Sequence, residues 1–402
     1  MIHYFSSSVG TSGRLIPAQG HGRRFLRRKR LLLAVLADVI EGGATSGKHT
    51  QGQHVAALER LIEERWQVGA AVAVNSGSAA LRLALEALRL EPGREVIVPA
   101  LTFISTAYAV SDAGLVPVFV DVDPQTLTLD LDAAQAALTH KTAALLPVHL
   151  HGQMADMLPL LDLADASNLF VIEDAAQAHG ATYGSTSSRS HTWYAGSLGD
   201  LGCFSLNGVK NMGGLGDGGM VTVSSRLLGR DRTIVDRLRS MRDLGRYSNA
   251  RYLHDGWGMR ARLDEFTAAE CLLEFAELET WNARRRIIAD RYHEALAHSV
   301  IHPPVTVPGR EHVYFNYAVQ SPSAAVRERF EQHLRAAGIE VAESYTLVPD
   351  QEPYRTGKLP CRIESLTVAR EVVGHITHIP LYPELEDEEI ERVVSALQAF
   401  AP

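Results

Sequence analysis

The sequence predicts an α/β protein: a large domain on a mostly parallel sheet covered by helices, followed by a smaller C-terminal α+β domain. Three observations carry this prediction. Short, continuously apolar runs of strand length alternate with helical periodicity through the first half of the chain, as strands buried on both faces require. The last third shows a different order of elements, with few glycine turns between them. The chain has 402 residues, 46% of them apolar, enough for one large core and a smaller one. The expected division is a flexible arm over residues 1–22, a large domain over 23–265 and a small one over 266–402.

Taken in order, residues 1–22 are rich in Ser, Gly and His and show little periodicity, which reads as a loose arm. The basic run Arg23–Arg30 then leads into apolar Leu31–Leu36. That apolar run stops at Asp38 and Glu41, too early for a membrane span or a secretory core, so a helix over Arg27–Ile40 is expected. Val55, Leu58, Leu61 and Ile62 place an amphipathic helix over His54–Trp66. Ala70–Asn75 is a strand, and Ala79–Leu90, with Leu at 81, 83, 85 and 88, is a helix. Glu95–Pro99 and Val116–Asp121 are buried strands flanking a helix over Ser105–Ala113, a β-α-β unit. Ala143–His149, Leu169–Asp174 and Gly219–Ser224 continue the sheet. Leu227–Arg242 reads as one helix with solvated arginines, and Arg260–Tyr292 as a long helix into the second domain. The small domain then holds strand Tyr314–Gln320 and helices Ala324–Ala337 and Glu386–Phe400.

Charge and cysteine usage narrow the class of function. A net charge of -8 gives no whole-chain positive field for phosphate backbones, so small molecules or a second copy of the chain are the expected partners, not nucleic acid or membrane. Cys203, Cys271 and Cys361 are odd in number and widely spaced, which indicates neither a zinc site nor a disulfide framework; no metal is expected, and a reducing compartment, the cytoplasm, fits.

Three stretches carry candidate chemistry. In Asp200–Gly219 a lone lysine, Lys210, is followed by five glycines within nine residues. This is either a solvated loop or a closed site in which a desolvated amine attacks an aldehyde, a Schiff-base lysine. Ser76-Gly77-Ser78, between a strand and a helix start, is either an ordinary cap or an anion site of free backbone N–H groups. Asp174 closes an apolar strand where ligands of parallel sheets bind, and is either a helix cap or a carboxylate that holds a proton on a ring nitrogen.

Together with Val98–Phe103, Pro147–Gly152, Glu173–Gly180, Ser205 and Leu381–Leu385, these stretches resemble the DegT/StrS-type sugar aminotransferases over roughly residues 30–400. The resemblance implies a fold-type-I transferase dependent on pyridoxal 5'-phosphate, with a seven-stranded type of sheet. It implies that Lys210 forms the Schiff base and shuttles the proton, and that Asp174 pairs with the pyridine nitrogen. Phe103 is implied to stack on the ring and Gln177 to contact its oxygen region, with Gly77, Ser78 and Ser205 on the phosphate. The family's phosphate-binding Asn, lent by the other subunit of a homodimer with shared active sites, corresponds to Arg260 in Gly258–Glu265; Glu343-Ser344-Tyr345 also departs from the usual His-Tyr-Pro. The implied activity moves an amino group from glutamate or glutamine to a nucleotide-linked keto-deoxyhexose in amino-sugar or natural-product biosynthesis, with C3 favoured by Gln177 and His179. A ketocyclitol acceptor and an inactive regulatory homologue are the alternatives. The presence of Lys210, Asp174 and Ser205 together argues against the last.

Overall fold

A computed structural model describes residues 15–184, 192–247 and 252–401. Most of the arm predicted over 1–22 lies outside the described residues. From the N-terminus come α1 (His21–Ser46), α2 (Gln53–Trp66), β1 (Ala70–Val74), α3 (Gly77–Ala87), β2 (Glu95–Pro99), α4 (Ile104–Asp112) and β3 (Val116–Val120). Next are α5 (Leu131–Ala136), β4 (Thr142–Leu145), α6 (Met157–Ser167), β5 (Phe170–Asp174), β6 (Thr182–Tyr183), β7 (Trp193–Tyr194), β8 (Leu201–Ser205) and β9 (Gly219–Val223). The chain continues through α7 (Ser225–Arg230), α8 (Ile234–Met241), α9 (Glu265–Leu296), β10 (Arg310–Glu311), β11 (Tyr317–Gln320) and α10 (Ala324–Ala336). It finishes with α11 (Glu352–Arg355), β12 (Arg362–Ile363), α12 (Thr367–Val373), β13 (Ile376–Ile379) and α13 (Asp387–Ala399).

The main sheet has the order β1-β9-β8-β5-β4-β2-β3-β12, and β9 alone runs antiparallel to its neighbours β1 and β8. The sequence accounts for the arrangement: β1, β2, β4 and β9 are buried at every residue, so helices must cover both faces. Two cores result. Residues such as Val72, Leu83, Val98 and Phe119 fill one side, while Leu58, Ile62, Ile97 and Phe204 fill the other.

Several expectations are corrected. The sheet has eight strands, because β12 comes back from the C-terminal region to pair in parallel with β3. α9 begins at Glu265, where the two domains were expected to meet, and contributes to both regions: Leu278 packs in one core beside the main sheet, while Ile288 and Tyr292 of the same helix pack with Tyr317 and Phe330. Residues 15–20 are no loose arm. Ile16 is fully buried, its N–H donates to Gly338 O at 2.9 Å, and its carbonyl accepts from Glu340 N at 3.0 Å.

The helix expected over Leu227–Arg242 is two, α7 and α8, and two of its arginines are buried rather than solvated. Arg242 Nη1 donates to Glu59 Oε1 at 2.5 Å and to Ala73 O at 2.6 Å; Arg237 bonds Ala87 O at the C-terminus of α3. A guanidinium has five donors and serves carbonyls and a carboxylate at once, which offsets its burial.

Candidate active site

The site forms where the parallel strands end. Ser76 caps α3, its hydroxyl accepting from Ala79 N at 3.1 Å, so the helix starts at Gly77 with backbone N–H groups directed off its end. Ser205, the last residue of β8, lies so close that a Cβ on Gly77 would meet Ser205 Cβ at 2.8 Å. Gly219 is equally constrained: a Cβ there would stand 2.3 Å from Ser76 O. Ser78 Oγ donates to Ser105 Oγ at 2.8 Å, so two more hydroxyls flank the helix start. Hydroxyls and free backbone N–H groups thus surround one helix start, the chemistry of an anion site.

Asp174 ends β5 and is 5% exposed. Thr106 Oγ1 donates to its Oδ2 at 2.8 Å and Ala176 N to its Oδ1 at 3.2 Å; Thr102 and Thr106 are themselves paired at 2.9 Å. Burial pushes its carboxyl up, while these hydrogen bonds and the Lys210 charge hold it down. The cap reading fails: no helix begins at Asp174, and the residue lines the cavity.

Lys210 borders the same cavity. Burial pushes its amine down to about 8, against the opposing pull of Asp174, and its Nζ stands 4.3 Å from the centre of the Phe315 ring. Gln177 is fixed at both ends, Oε1 accepting from His151 N and Nε2 donating to the Tyr345 hydroxyl, each at 2.8 Å. Phe103 is 54% exposed and meets Tyr345 edge-on at 6.4 Å.

Gly77, Ser78, Phe103, Asp174, Gln177, Ser205 and Lys210 thus line one cavity of about 490 Å³. Its far wall comes from beyond α9: Phe315, Asn316, Glu343, Tyr345 and His378. None of these five except Tyr345 and Glu343 fell in a stretch singled out from sequence, because only packing of the small domain brings them here. Thr106 was also missed, although Thr102 and Thr106 stand one helical turn apart and in hindsight mark a hydroxyl pair. Arg260 is not in the cavity of its own chain; it is exposed, and its backbone carbonyl accepts from Asn75 Nδ2 at 3.3 Å. His179 packs against Phe204 at 5.3 Å, outside the cavity, and burial pushes its imidazole down to about 3.

With this geometry in place the comparisons decide the family. The model of the DegT/DnrJ/EryC1/StrS aminotransferase family matches residues 35–398. The chain belongs to that family. A DegT/DnrJ/EryC1/StrS relative, the dTDP-3-amino-3,4,6-trideoxy-α-D-glucose transaminase of Streptomyces venezuelae, is 37% identical over 92% of this chain and 91% of its own. The structure of S. venezuelae DesV in complex with a ketimine intermediate superposes with a TM-score of 0.86 at 34% identity, covering 96% of this chain and 98% of that one. The putative sugar aminotransferase Spr1654 of Streptococcus pneumoniae, in its PLP form, gives 0.79 at 26% identity, covering 91% and 95%.

Proposed function

We propose that this member of the family is a pyridoxal-phosphate-dependent aminotransferase that transfers an amino group from glutamate or glutamine to C3 of a nucleotide-linked keto sugar. The observation that carries the reading is the convergence of a lowered-pKa amine, a buried carboxylate and a free helix N-terminus on one cavity. The residues fit the cofactor: the α3 N-terminus with Ser78 and Ser205 would hold its phosphate, Phe103 would stack on its ring, and Gln177 would contact its ring oxygen region, all of them bordering the cavity. When bound, the cofactor supplies an aldehyde and a ring that accepts the electrons released at the amino-bearing carbon. The Asp174 carboxylate would hold a proton on the ring nitrogen, with Thr106 keeping it oriented. Lys210 Nζ, with a neutral fraction at pH 7 far above that of a free lysine, would move the proton between the amino-bearing substrate carbon and the carbon of the bound cofactor. The name of the Streptomyces relative supports C3 and a nucleotide-linked sugar as acceptor.

The same reading includes a cytoplasmic homodimer. Leu26, Leu33 and Ile40 of α1 are 54–75% exposed, with Leu215 at 65% and Phe266 at 37% nearby, an apolar surface that a second copy would cover. Exposed Arg260 is then the group lent to the partner's phosphate or substrate anion. Among the described residues no helix is long and apolar enough to cross a membrane. The test is a panel of dTDP-, UDP- and GDP-linked 3-keto and 4-keto sugars, each with glutamate or glutamine, with the amino product read by mass spectrometry. Product from none of them, beside activity on a ketocyclitol, replaces the sugar reading.

A further inference from the structure

The basic run at the start of α1 is unexplained by the chemistry above, yet one of its members reaches the Lys210 turn. Arg24 is 5% exposed. Its Nη2 donates to Gly208 O at 2.6 Å and Gly213 O at 3.4 Å, and its Nη1 to Lys210 O at 3.1 Å and Asn211 O at 3.5 Å. Glu274 Oε2 stands 3.4 Å from its Nε, Arg28 pairs with the other Glu274 oxygen at 2.5 Å, and the Trp281 ring lies 5.4 Å from the guanidinium carbon. A single buried group therefore gathers four carbonyls from both sides of the reactive lysine.

Other bonds hold the turn elsewhere, among them Gly214 N to Leu206 O at 3.0 Å and Leu215 N to Glu270 Oε2 at 2.6 Å, but among the described residues only Arg24 bonds the carbonyls of Gly208, Lys210, Asn211 and Gly213 together. Across from Arg24, Asn211 Nδ2 donates to Asn282 Oδ1 and Val313 O, both at 2.9 Å, and within the turn Lys210 N donates to Asn207 O at 2.9 Å. The glycines allow the fold-back: a Cβ on Gly213 would stand 2.0 Å from Asn207 O, and one on Gly208 2.5 Å from Gly214 O. A backbone so rich in glycine has many other conformations, and four carbonyls left without donors would favour them.

We propose that Arg24 is a positioning residue for Lys210, fixing the turn that presents the amine to the reacting carbon. This rests on the reading of Lys210 as the lysine that bonds the cofactor. Arg23, next to it, donates to both oxygens of Glu389 at 2.6 and 2.8 Å and so provides a control that loosens the same helix end without touching the turn.

The experiment compares the wild type with Arg24→Ala, Arg24→Lys and Arg23→Ala. Borohydride reduction of the cofactor-loaded wild type with peptide mapping comes first; label on a lysine other than Lys210 overturns the Lys210 reading and this proposal with it. With the label on Lys210, Arg24→Ala is expected to lose kcat by about 10²-fold at unchanged KM for the keto substrate, the size of effect a small misplacement brings. In the cofactor-free protein the rate of Lys210 acetylation, read by mass spectrometry against Lys141 as internal standard, should change in Arg24→Ala and not in Arg23→Ala. Added guanidinium ion should restore part of kcat, and Arg24→Lys, with three donors for five, should fall between. A lowered Tm with wild-type kcat and wild-type Lys210 acetylation overturns the proposal while leaving the Lys210 reading intact. Where Arg24→Ala does not fold, Arg24→Lys decides by the same two readouts.

Discussion

Glu173 and Asp174, adjacent carboxylates at the end of β5, share no hydrogen-bond partner. Glu173 takes His149 Nε2 at 2.7 Å and the N–H groups of Gly196, Leu198 and Gly199 at 2.6–2.9 Å, while Asp174 takes Thr106 and Ala176. Successive strand residues face opposite sides of a sheet, so one carboxylate anchors the Gly196–Gly199 loop and its neighbour is left for the cavity. Asp174→Asn is expected to bind the cofactor and to lose kcat by about 10²–10⁴-fold, because an amide cannot hold the ring proton. Undiminished turnover would make Asp174 a structural residue.

Lys210→Ala should be inactive but folded, with a Tm at neutral pH no lower than wild type, since the side chain borders a cavity and its removal opens none in the core while relieving the desolvated charge. Retained transamination would remove Lys210 from the chemistry.

The lowered Lys210 pKa has a sign that can be measured in the cofactor-free protein. The folded chain releases this proton near 8 and the unfolded chain near 10.5, so between those values the unfolded state binds more protons and stability rises with pH. Below about 8 the buried charge is a cost to the fold. Stability of wild type relative to Lys210→Met should therefore improve from pH 8 to 10, measured by urea unfolding; a flat difference would mean that the amine is not desolvated.

Tyr345→Phe removes the hydroxyl that holds Gln177 Nε2. One such bond is worth about 1 kcal/mol, so cofactor affinity, followed by absorbance, should fall about fivefold. Unchanged affinity would show that Gln177 is placed by the His151 amide alone.

The proposed homodimer, with Arg260 lent across the interface, is tested by complementation. Lys210→Ala and Arg260→Ala, each inactive, should after subunit exchange recover about a quarter of wild-type activity, because half the dimers are mixed and one of their two sites is intact. A mixture as inactive as its parts, with exchange demonstrated, returns Arg260 to a solvent-facing charge.

What the sequence determined by itself was local. Buried strands announce themselves as unbroken apolar runs: β1, β2, β3 and β5 lie where Ala70–Asn75, Glu95–Pro99, Val116–Asp121 and Leu169–Asp174 were expected, while β4 ends at Leu145, four residues before the end of the expected Ala143–His149. The serine-flanked helix start, the strand-end carboxylate and the glycine-lined lysine stood out for the same reason, each being a short stretch whose residue types suit one task, and all three border one cavity. Only the tertiary structure decided how they are held. Arg24 is one member of a basic run until the fold sets it against carbonyls 184–189 residues away, and Arg237 and Arg242, expected to be solvated, are buried against carbonyls. Phe315 and His378 reach the cavity through the docking of the small domain, and β12 joins the sheet across some 240 residues. Periodicity reports which face of an element is buried; it carries no information about which distant carbonyl a long cationic side chain will satisfy, since that depends on where the backbone groups come to rest.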